Sequence, residues 1–186
     1  MVAQHKTDKE ISDLFIRTGR LQYIVMAVIL VGFVVLGKQF IQLWAGPDYV
    51  GVYSIALIFF LSTIVPLIQN TAISILQARN QQKYRSLMLV IVGVVSLVFQ
   101  VILSNYYGAV GCAIAVGAAN IIGQGIILNW YYYSRQNLNI IKFWKEIGKM
   151  TIVPASIAVV GYFIINEFTI DSWLKFILAV VCIMVL

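Results

Sequence analysis

Six long apolar segments, separated by short polar connections, form the dominant pattern of this chain. They are Leu21–Gly37, Val52–Leu76, Ser86–Leu103, Ala109–Tyr133, Met150–Ile165 and Trp173–Leu186. A bilayer core about 30 Å thick needs about 20 mostly apolar residues in a helix, and five segments approach that length. The sixth is shorter, so we expect it to be a truncated span. The pattern therefore predicts an all-α polytopic membrane protein with six transmembrane helices.

The basic residues of the connections alternate between the two sides of this arrangement. Eleven of the thirteen Lys and Arg residues fall on one side: Lys6, Lys9, Arg17, Arg20, Arg79, Lys83, Arg85, Arg135, Lys142, Lys145 and Lys149. Basic residues accumulate in cytoplasmic loops, so we expect this side, and with it the N-terminus, to be cytoplasmic.

The charge pattern divides the chain into four parts. We expect a cytoplasmic amphipathic leader over 1–20, a four-helix transmembrane core over 21–133, a cytoplasmic amphipathic connector over 134–149 and the last two transmembrane helices over 150–186. The leader places Ile11 and Phe15 on one helical face and Lys9 and Arg17 on another, which predicts a helix lying on the membrane surface before it turns into the first span. Both amphipathic parts could also be plain solvated connectors.

Composition excludes an ordinary soluble domain and gives no sign of a catalytic or metal site. Hydrophobic residues make up 61% and charged residues 11% of the chain, against about 25% charged in soluble domains. The net charge of +6 is explained by membrane topology, so nucleic acid is not expected as a partner. Cys112 and Cys182 lie within spans and are expected to be small buried residues. We predict no metal and no cofactor.

Neutral polar residues recur within the second, third and fourth spans, whereas no ionisable residue lies at the centre of any span. The candidate cavity residues are Gln69, Asn70, Ser74, Ser96, Gln100, Asn120 and Gln124. Such amides either join packed helices by hydrogen bonds or line a hydrated cavity for a polar substrate. Their recurrence in three consecutive spans favours the cavity. Pro66, in the middle of the second span, predicts a helix kink.

The fourth span also carries a ridge of small residues at i+4 spacing. It consists of Gly111, Ala115, Ala119 and Gly123. Small residues at this spacing let two helix backbones approach closely, so the ridge predicts helix packing. Bending during transport is the alternative.

Four stretches resemble a known family of membrane transporters. These are Ile41–Tyr49 (IQLWAGPDY), Pro66–Asn70 (PLIQN), Leu76–Asn80 (LQARN) and Tyr107–Ala115 (YGAVGCAIA). As a set they resemble the C-terminal half of bacterial polysaccharide (O-antigen, Wzx-type) flippases, within the multidrug/oligosaccharidyl-lipid/polysaccharide exporter superfamily. The resemblance covers residues 11–149. The last stretch is common to the whole superfamily, so it does not separate the branches.

This resemblance implies one half of an inverted-V, two-lobed exporter fold in the bacterial inner membrane. The implied function is to help translocate an undecaprenyl-pyrophosphate-linked oligosaccharide for surface polysaccharide (lipopolysaccharide) biosynthesis. The implied partners are this lipid-linked oligosaccharide, membrane lipids and a missing N-terminal half of the same protein.

Four other functions remain open. A cation-coupled drug exporter or a lipid II flippase would belong to the same superfamily. A membrane enzyme of polysaccharide assembly is disfavoured because the only histidine, His5, lies in the polar leader and no acid/base pair is apparent, so we expect no enzyme. A purely structural membrane subunit is the last alternative.

Overall fold

A computed structural model describes residues 7–166 and 172–185, and within these ranges all regular structure is helical. His5 and residues 167–171 of the predicted connection before the last span lie outside the described residues, as does the side chain of Cys182. The α-helices are α1 (Asp8–Ala45), α2 (Val52–Ile68), α3 (Asn70–Ala78), α4 (Gln82–Asn120), α5 (Leu128–Gln136), α6 (Ile140–Asn166) and α7 (Trp173–Val185). A short 3₁₀ turn covers Pro47–Tyr49, and a π-helix covers Ile121–Ile127.

The first helix contains both the predicted leader and the first span. It starts at a capping box in which the Thr7 backbone N–H donates to the Glu10 carboxylate at 2.9 Å, which satisfies an otherwise free helix-end group. It then runs for 38 residues without a break, or about 57 Å at 1.5 Å per residue. The expected turn between leader and span is therefore wrong. The leader's apolar residues Ile11 and Phe15 are buried inside the protein instead.

The predicted connector likewise continues into the fifth span as one helix. α6 begins at Ile140 and extends to Asn166, with Pro154 inside it. Phe143 and Ile147 are buried, and the Phe143 ring stacks on Phe15 of α1 with centroids 4.7 Å apart. The amphipathic pattern of this stretch thus reflects packing against α1 and not an independent helix on the membrane surface.

The second predicted span is divided into two helices. α2 ends at Ile68, and α3 begins at Asn70 after Gln69, whose φ and ψ of −104° and 14° are not helical. This interruption falls three residues after Pro66, which has no N–H to donate to the helix.

The third and fourth spans form a helical hairpin that reverses at Gly108. This glycine has φ 56° and ψ −138°, a conformation that a residue with a Cβ atom rarely adopts. Beyond it the chain doubles back, because the Tyr84 and Tyr131 rings stack with centroids 4.1 Å apart. We name residues 82–107 the outward arm and residues 109–136 the return arm.

Side-chain contacts give the relative directions of α1, α2 and α6. α1 and α6 are parallel, because Gly19 lies beside Phe143 and Gly161 beside Val35. α1 and α2 are antiparallel, because Gly19 also approaches the Ile68 carbonyl while the Tyr53 hydroxyl donates to the Val34 carbonyl at 3.0 Å. The alternating directions agree with the order of spans expected from the sequence.

The larger of two buried apolar clusters lies at the end of the bundle where the basic residues gather. It joins α1, α2, α3, α5 and α6 through side chains that include Phe15, Ile68, Leu76, Leu138 and Phe143. A smaller cluster, built around Val35, Leu36 and Ile165, joins α1 to α6 and α7. Elsewhere most large apolar side chains point outward.

Four helical stretches of the described chain are long and apolar enough to cross a membrane. They are Asp8–Ala45, Val52–Ala78, Gln82–Gln136 and Ile140–Phe163, and the third contains both arms of the hairpin. α7 has only 13 residues, or about 20 Å. The protein is thus all-helical, and its long apolar helices are consistent with a multi-pass membrane protein.

Candidate functional site: two interrupted helices linked by an amide pair

Two of the predicted polar pairs form hydrogen bonds within their own helices. The Gln100 side-chain amide donates to Ser96 Oγ at 3.1 Å, and that of Gln124 donates to Asn120 Oδ1 at 3.3 Å. Ser96 is buried, whereas the other three side chains are half-buried. Each i,i+4 bond satisfies some of the hydrogen-bond donors and acceptors of the two side chains without a partner from another helix.

Two other predicted cavity residues lie away from the middle of the bundle. Asn70 and Ser74 are both exposed. Because Ile68 lies beside Gly19 and the helices are antiparallel, Asn70 and Ser74 are level with the charged first turns of α1. The structure therefore does not bring these two side chains together with Gln100 and Asn120.

Gln69, at the break between α2 and α3, is the predicted residue with the most distinctive surroundings. It is 3% exposed, and its amide nitrogen donates to Asn129 Oδ1 at 2.6 Å. The Asn129 amide in turn donates to the Gly125 carbonyl at 2.6 Å. Gly125 belongs to the π-helix, whose wider turns leave carbonyl groups without their usual helical partners. Two interrupted helices are thus joined by one chain of amide hydrogen bonds.

A cavity of about 10 Å³ lies beside this amide pair, which is room for about one water molecule. Its walls are Pro66, Gln69, Ile73, Arg85, Gln124, Leu128 and Tyr132. Buried water needs polar partners, and the buried Arg85 Nε–H, which has no hydrogen-bond partner, is one group able to supply a contact. Gln69 and Gln124 are the two predicted cavity residues that share this space.

The small-residue ridge lies at close approaches between the two arms of the hairpin. A Cβ atom on Gly111 would overlap the Leu103 carbonyl, and one on Gly123 would come within 2.7 Å of Val92. Ala115 is buried and Ala119 half-buried. A second close approach, from Gly117 to Ile58 and Ser62 of α2, was not part of the predicted ridge.

Polar contacts at one end of the bundle tie α1 to the loops after α3 and α5. The Arg79 guanidinium contacts the Asp8 carboxylate at 2.6 Å and donates to the Gln136 backbone carbonyl at 3.0 Å. Gln136 is 1% exposed and also bonds Gln81. The Asn137 amide and the Arg79 guanidinium hold the pKa of Asp8 below its ordinary value, because both interactions favour the carboxylate form.

Two weaker ion pairs link α1 to α6 at this same end. Lys142 lies 3.4 Å from Asp13, and Arg20 lies 3.6 Å from Glu146. We call this region, residues 8–20, 76–85 and 131–149, the charged end. It brings together the three stretches that the sequence assigned to one side of a membrane.

Sequence reasoning missed Asn129, Arg79 and Gln136 as partners. Asn129 is five residues after Gln124 and stands next to Trp130 in a boundary segment, so helical spacing alone did not select it. Arg79 was grouped with the basic residues of the loops, so its specific contacts with Asp8 and Gln136 were not predicted. Among residues 7–166 and 172–185, no group of three or more His, Cys, Asp or Glu side chains could hold a metal ion.

No known protein family, curated protein or solved structure matches this chain. The class that the fold defines is therefore the coarse one: an all-helical protein with four helical stretches able to cross a membrane. The resemblance to polysaccharide flippases stays a prediction.

Proposed function

We propose that this chain is part of a membrane transporter that moves a lipid-linked oligosaccharide across the bacterial cytoplasmic membrane. In this proposal its six spans form one lobe of a two-lobed, inverted-V exporter, and an N-terminal half supplies the other. The observation that carries the transport proposal is the pairing of two interrupted helices through Gln69 and Asn129.

Interrupted helices are costly in a membrane unless they serve a purpose. Non-helical backbone at membrane depth is tolerated where protein buries it or where it lines a water-filled cavity, and transporters commonly build substrate sites from broken helices. Here the break at Gln69 and the π-helix Ile121–Ile127 meet across a small polar cavity. These features support a site that opens when the helices move.

The absence of Asp and Glu from the six apolar segments favours a flippase over a cation-coupled drug exporter. Coupling cations are usually held by intramembrane carboxylates, and the three ion-paired carboxylates, Asp8, Asp13 and Glu146, all lie at the charged end. Lipid II flippases remain a second candidate, because the resemblance does not separate them. The polysaccharide assignment rests on the stretches Ile41–Tyr49 and Pro66–Asn70.

Complementation of a flippase-null strain of matching glycan type tests this function. We expect residues 1–186 alone to leave surface polysaccharide unrestored and co-expression with the N-terminal half of a matching flippase to restore it. Restoration by residues 1–186 alone would contradict the need for a second lobe. Failure with every N-terminal half, at normal membrane levels of both pieces, would contradict the flippase assignment.

The same strain tests the role of the amide pair. In the restored pair, Gln69→Leu should lower polysaccharide export, because it leaves Asn129 Oδ1 without its donor. Gln42→Leu is the matched control, because Gln42 is an exposed glutamine of α1 distant from the break. Equal export by both variants would remove Gln69 from the transport site.

A further inference from the structure

A continuous furrow runs along the contact between α1 and α6. Its apolar part encloses about 650 Å³, and its charged part, at the charged end, encloses about 590 Å³. Ile24 and Met150 line both parts, so one opens into the other. The furrow is separate from the Gln69 cavity, with which it shares no lining residue.

The charged part contains three basic side chains and two carboxylates. Its charged side chains are Asp13, Arg17, Arg20, Lys142 and Glu146. The contacts of Lys142 with Asp13 at 3.4 Å and of Arg20 with Glu146 at 3.6 Å are longer than the 2.7–2.9 Å of strong charge-assisted hydrogen bonds. Within the described chain Arg17 has no ion-pair partner. The cluster therefore has one net positive charge, and its Arg and Lys groups can donate hydrogen bonds to an anion.

The apolar part is long enough to hold an acyl chain that crosses one membrane leaflet. Along α1 it extends from Tyr23 to Phe40, or about 26 Å, against about 15 Å for half of the hydrocarbon core. Gly32 lies on its wall, and a Cβ atom there would meet nothing within 4 Å. The absent side chain leaves space beside α1 that a hydrocarbon chain can fill.

We propose that this furrow binds one anionic phospholipid. Its phosphodiester lies among Arg17, Arg20 and Lys142, and one acyl chain follows the apolar part past Gly32. Basic pockets between transmembrane helices are known to take anionic headgroups. The single net positive charge matches the single negative charge of a phosphodiester, whereas a pyrophosphate would bring more charge than the cluster can neutralise. This lipid is therefore distinct from the proposed transport substrate, and the site does not depend on the transport proposal.

Native mass spectrometry of the full chain in detergent tests the headgroup site. Phosphatidylglycerol and phosphatidylcholine are supplied at equal concentration, and we expect phosphatidylglycerol adducts to predominate. Arg17→Gln should lower phosphatidylglycerol binding about fivefold, the effect of about one basic contact to an anionic lipid surface. Arg135→Gln is the matched control, because Arg135 is exposed on α5 outside the furrow. Equal loss in both variants, or equal binding of both lipids, would overturn the proposal.

The acyl-chain path is tested by a second pair of variants. Gly32→Leu fills the apolar part and should reduce phosphatidylglycerol adducts, whereas Gly93→Leu should not. Gly93 is also a helical glycine with open space around a Cβ atom, but it lies on the outward arm. Far-UV circular dichroism confirms that each variant remains helical. Undiminished binding by Gly32→Leu would overturn the path, and displacement of phosphatidylglycerol by equimolar undecaprenyl phosphate would overturn the phospholipid assignment.

Discussion

Gln69 and Asn129 form a buried side-chain hydrogen bond of 2.6 Å that joins the break after α2 to the start of α5. Gln69 donates through its amide nitrogen, and Asn129 uses its own amide to bond the Gly125 carbonyl of the π-helix. The Asn129 side chain thus bonds both the irregular backbone of its own helix and the side chain of Gln69. The pair acts as an interhelical link, which was one of the two interpretations of the polar residues.

A double-mutant cycle on Gln69→Leu and Asn129→Leu measures the strength of this link. Interhelical hydrogen bonds in membrane proteins contribute about 0.6 kcal/mol on average and up to about 1.7 kcal/mol. We expect a coupling free energy in the upper part of that range, because both side chains are almost fully buried. Unfolding in mixed micelles gives the four free energies. Strictly additive effects of the two substitutions would show that the bond contributes nothing.

The helices of this protein could be predicted from the sequence, but their ends could not. Each of the six apolar segments falls largely within helix where the structure describes it, and the alternation of basic loops agrees with the directions of α1, α2 and α6. The pattern failed at residue 20 and at residue 149, where polarity changes but the helix continues. A change in polarity marks a change in what surrounds the helix. A helix ends only where its backbone hydrogen bonds end.

The sequence predicted the types of polar residue in the candidate site but not their hydrogen-bond partners. The spacing of Gln100 with Ser96 and of Gln124 with Asn120 correctly placed each pair on one helical face, and an i,i+4 amide often bonds its own neighbour. The partner of Gln69 lies 60 positions away, so it depends on how α2 packs against the return arm. The exact position of the interruption is also not marked in the sequence, since Pro66 stands three residues before Gln69.

Two glycines of α1 provide a direct test of packing at the charged end. A Cβ atom on Gly19 would come within 2.9 Å of the Ile68 carbonyl oxygen and would overlap the Phe143 ring, whereas one on Gly32 would meet nothing. Gly19→Ala should therefore destabilise the protein by about 1–3 kcal/mol through overpacking. Gly32→Ala should be neutral or stabilising by up to about 1 kcal/mol through helix propensity. Thermal unfolding in detergent compares them, and equal midpoints would contradict the close contact of α1, α2 and α6.

The Asp8 carboxylate predicts a component of stability that is lost in acid. The Asn137 amide and the Arg79 guanidinium lower its pKa from the ordinary value of 3.8, so the native state favours the charged form. Its contribution is present above that value and is lost as the pH falls through the lowered pKa. Because Asp8 is exposed, solvent screening keeps the effect small.

Unfolding measured between pH 7 and pH 3 checks this expectation. Asp8→Asn should weaken the loss of stability below about pH 4. Asp48→Asn serves as the control, because Asp48 lies in an exposed turn with no ion pair in the described chain. An identical acid dependence in the wild type and Asp8→Asn would show that the Asp8 contacts do not stabilise the fold.

The orientation of the protein in a membrane is the remaining expectation, and the structure supplies two suitable positions for testing it. Ser134 and Asn105 are both exposed. Asn105 lies at the end of the outward arm, close to the reversal at Gly108, and Ser134 lies at the far end of the return arm. From Gly108 to Ser134 the chain rises about 39 Å, nearly the full thickness of a bilayer with its headgroups. Single cysteines at these positions, with Cys112 and Cys182 replaced by alanine, should therefore lie on opposite membrane surfaces.

We expect an impermeant thiol reagent to label Asn105→Cys in intact cells and Ser134→Cys only after the cells are permeabilised. Ser134 lies in the charged end, which contains most of the basic residues, and such residues are retained in the cytoplasm. Labelling of both positions after permeabilisation is the control for thiol reactivity. If Ser134→Cys reacted in intact cells while Asn105→Cys was protected, the orientation would be reversed. Reaction of both in intact cells would show that the hairpin does not cross the membrane as two spans.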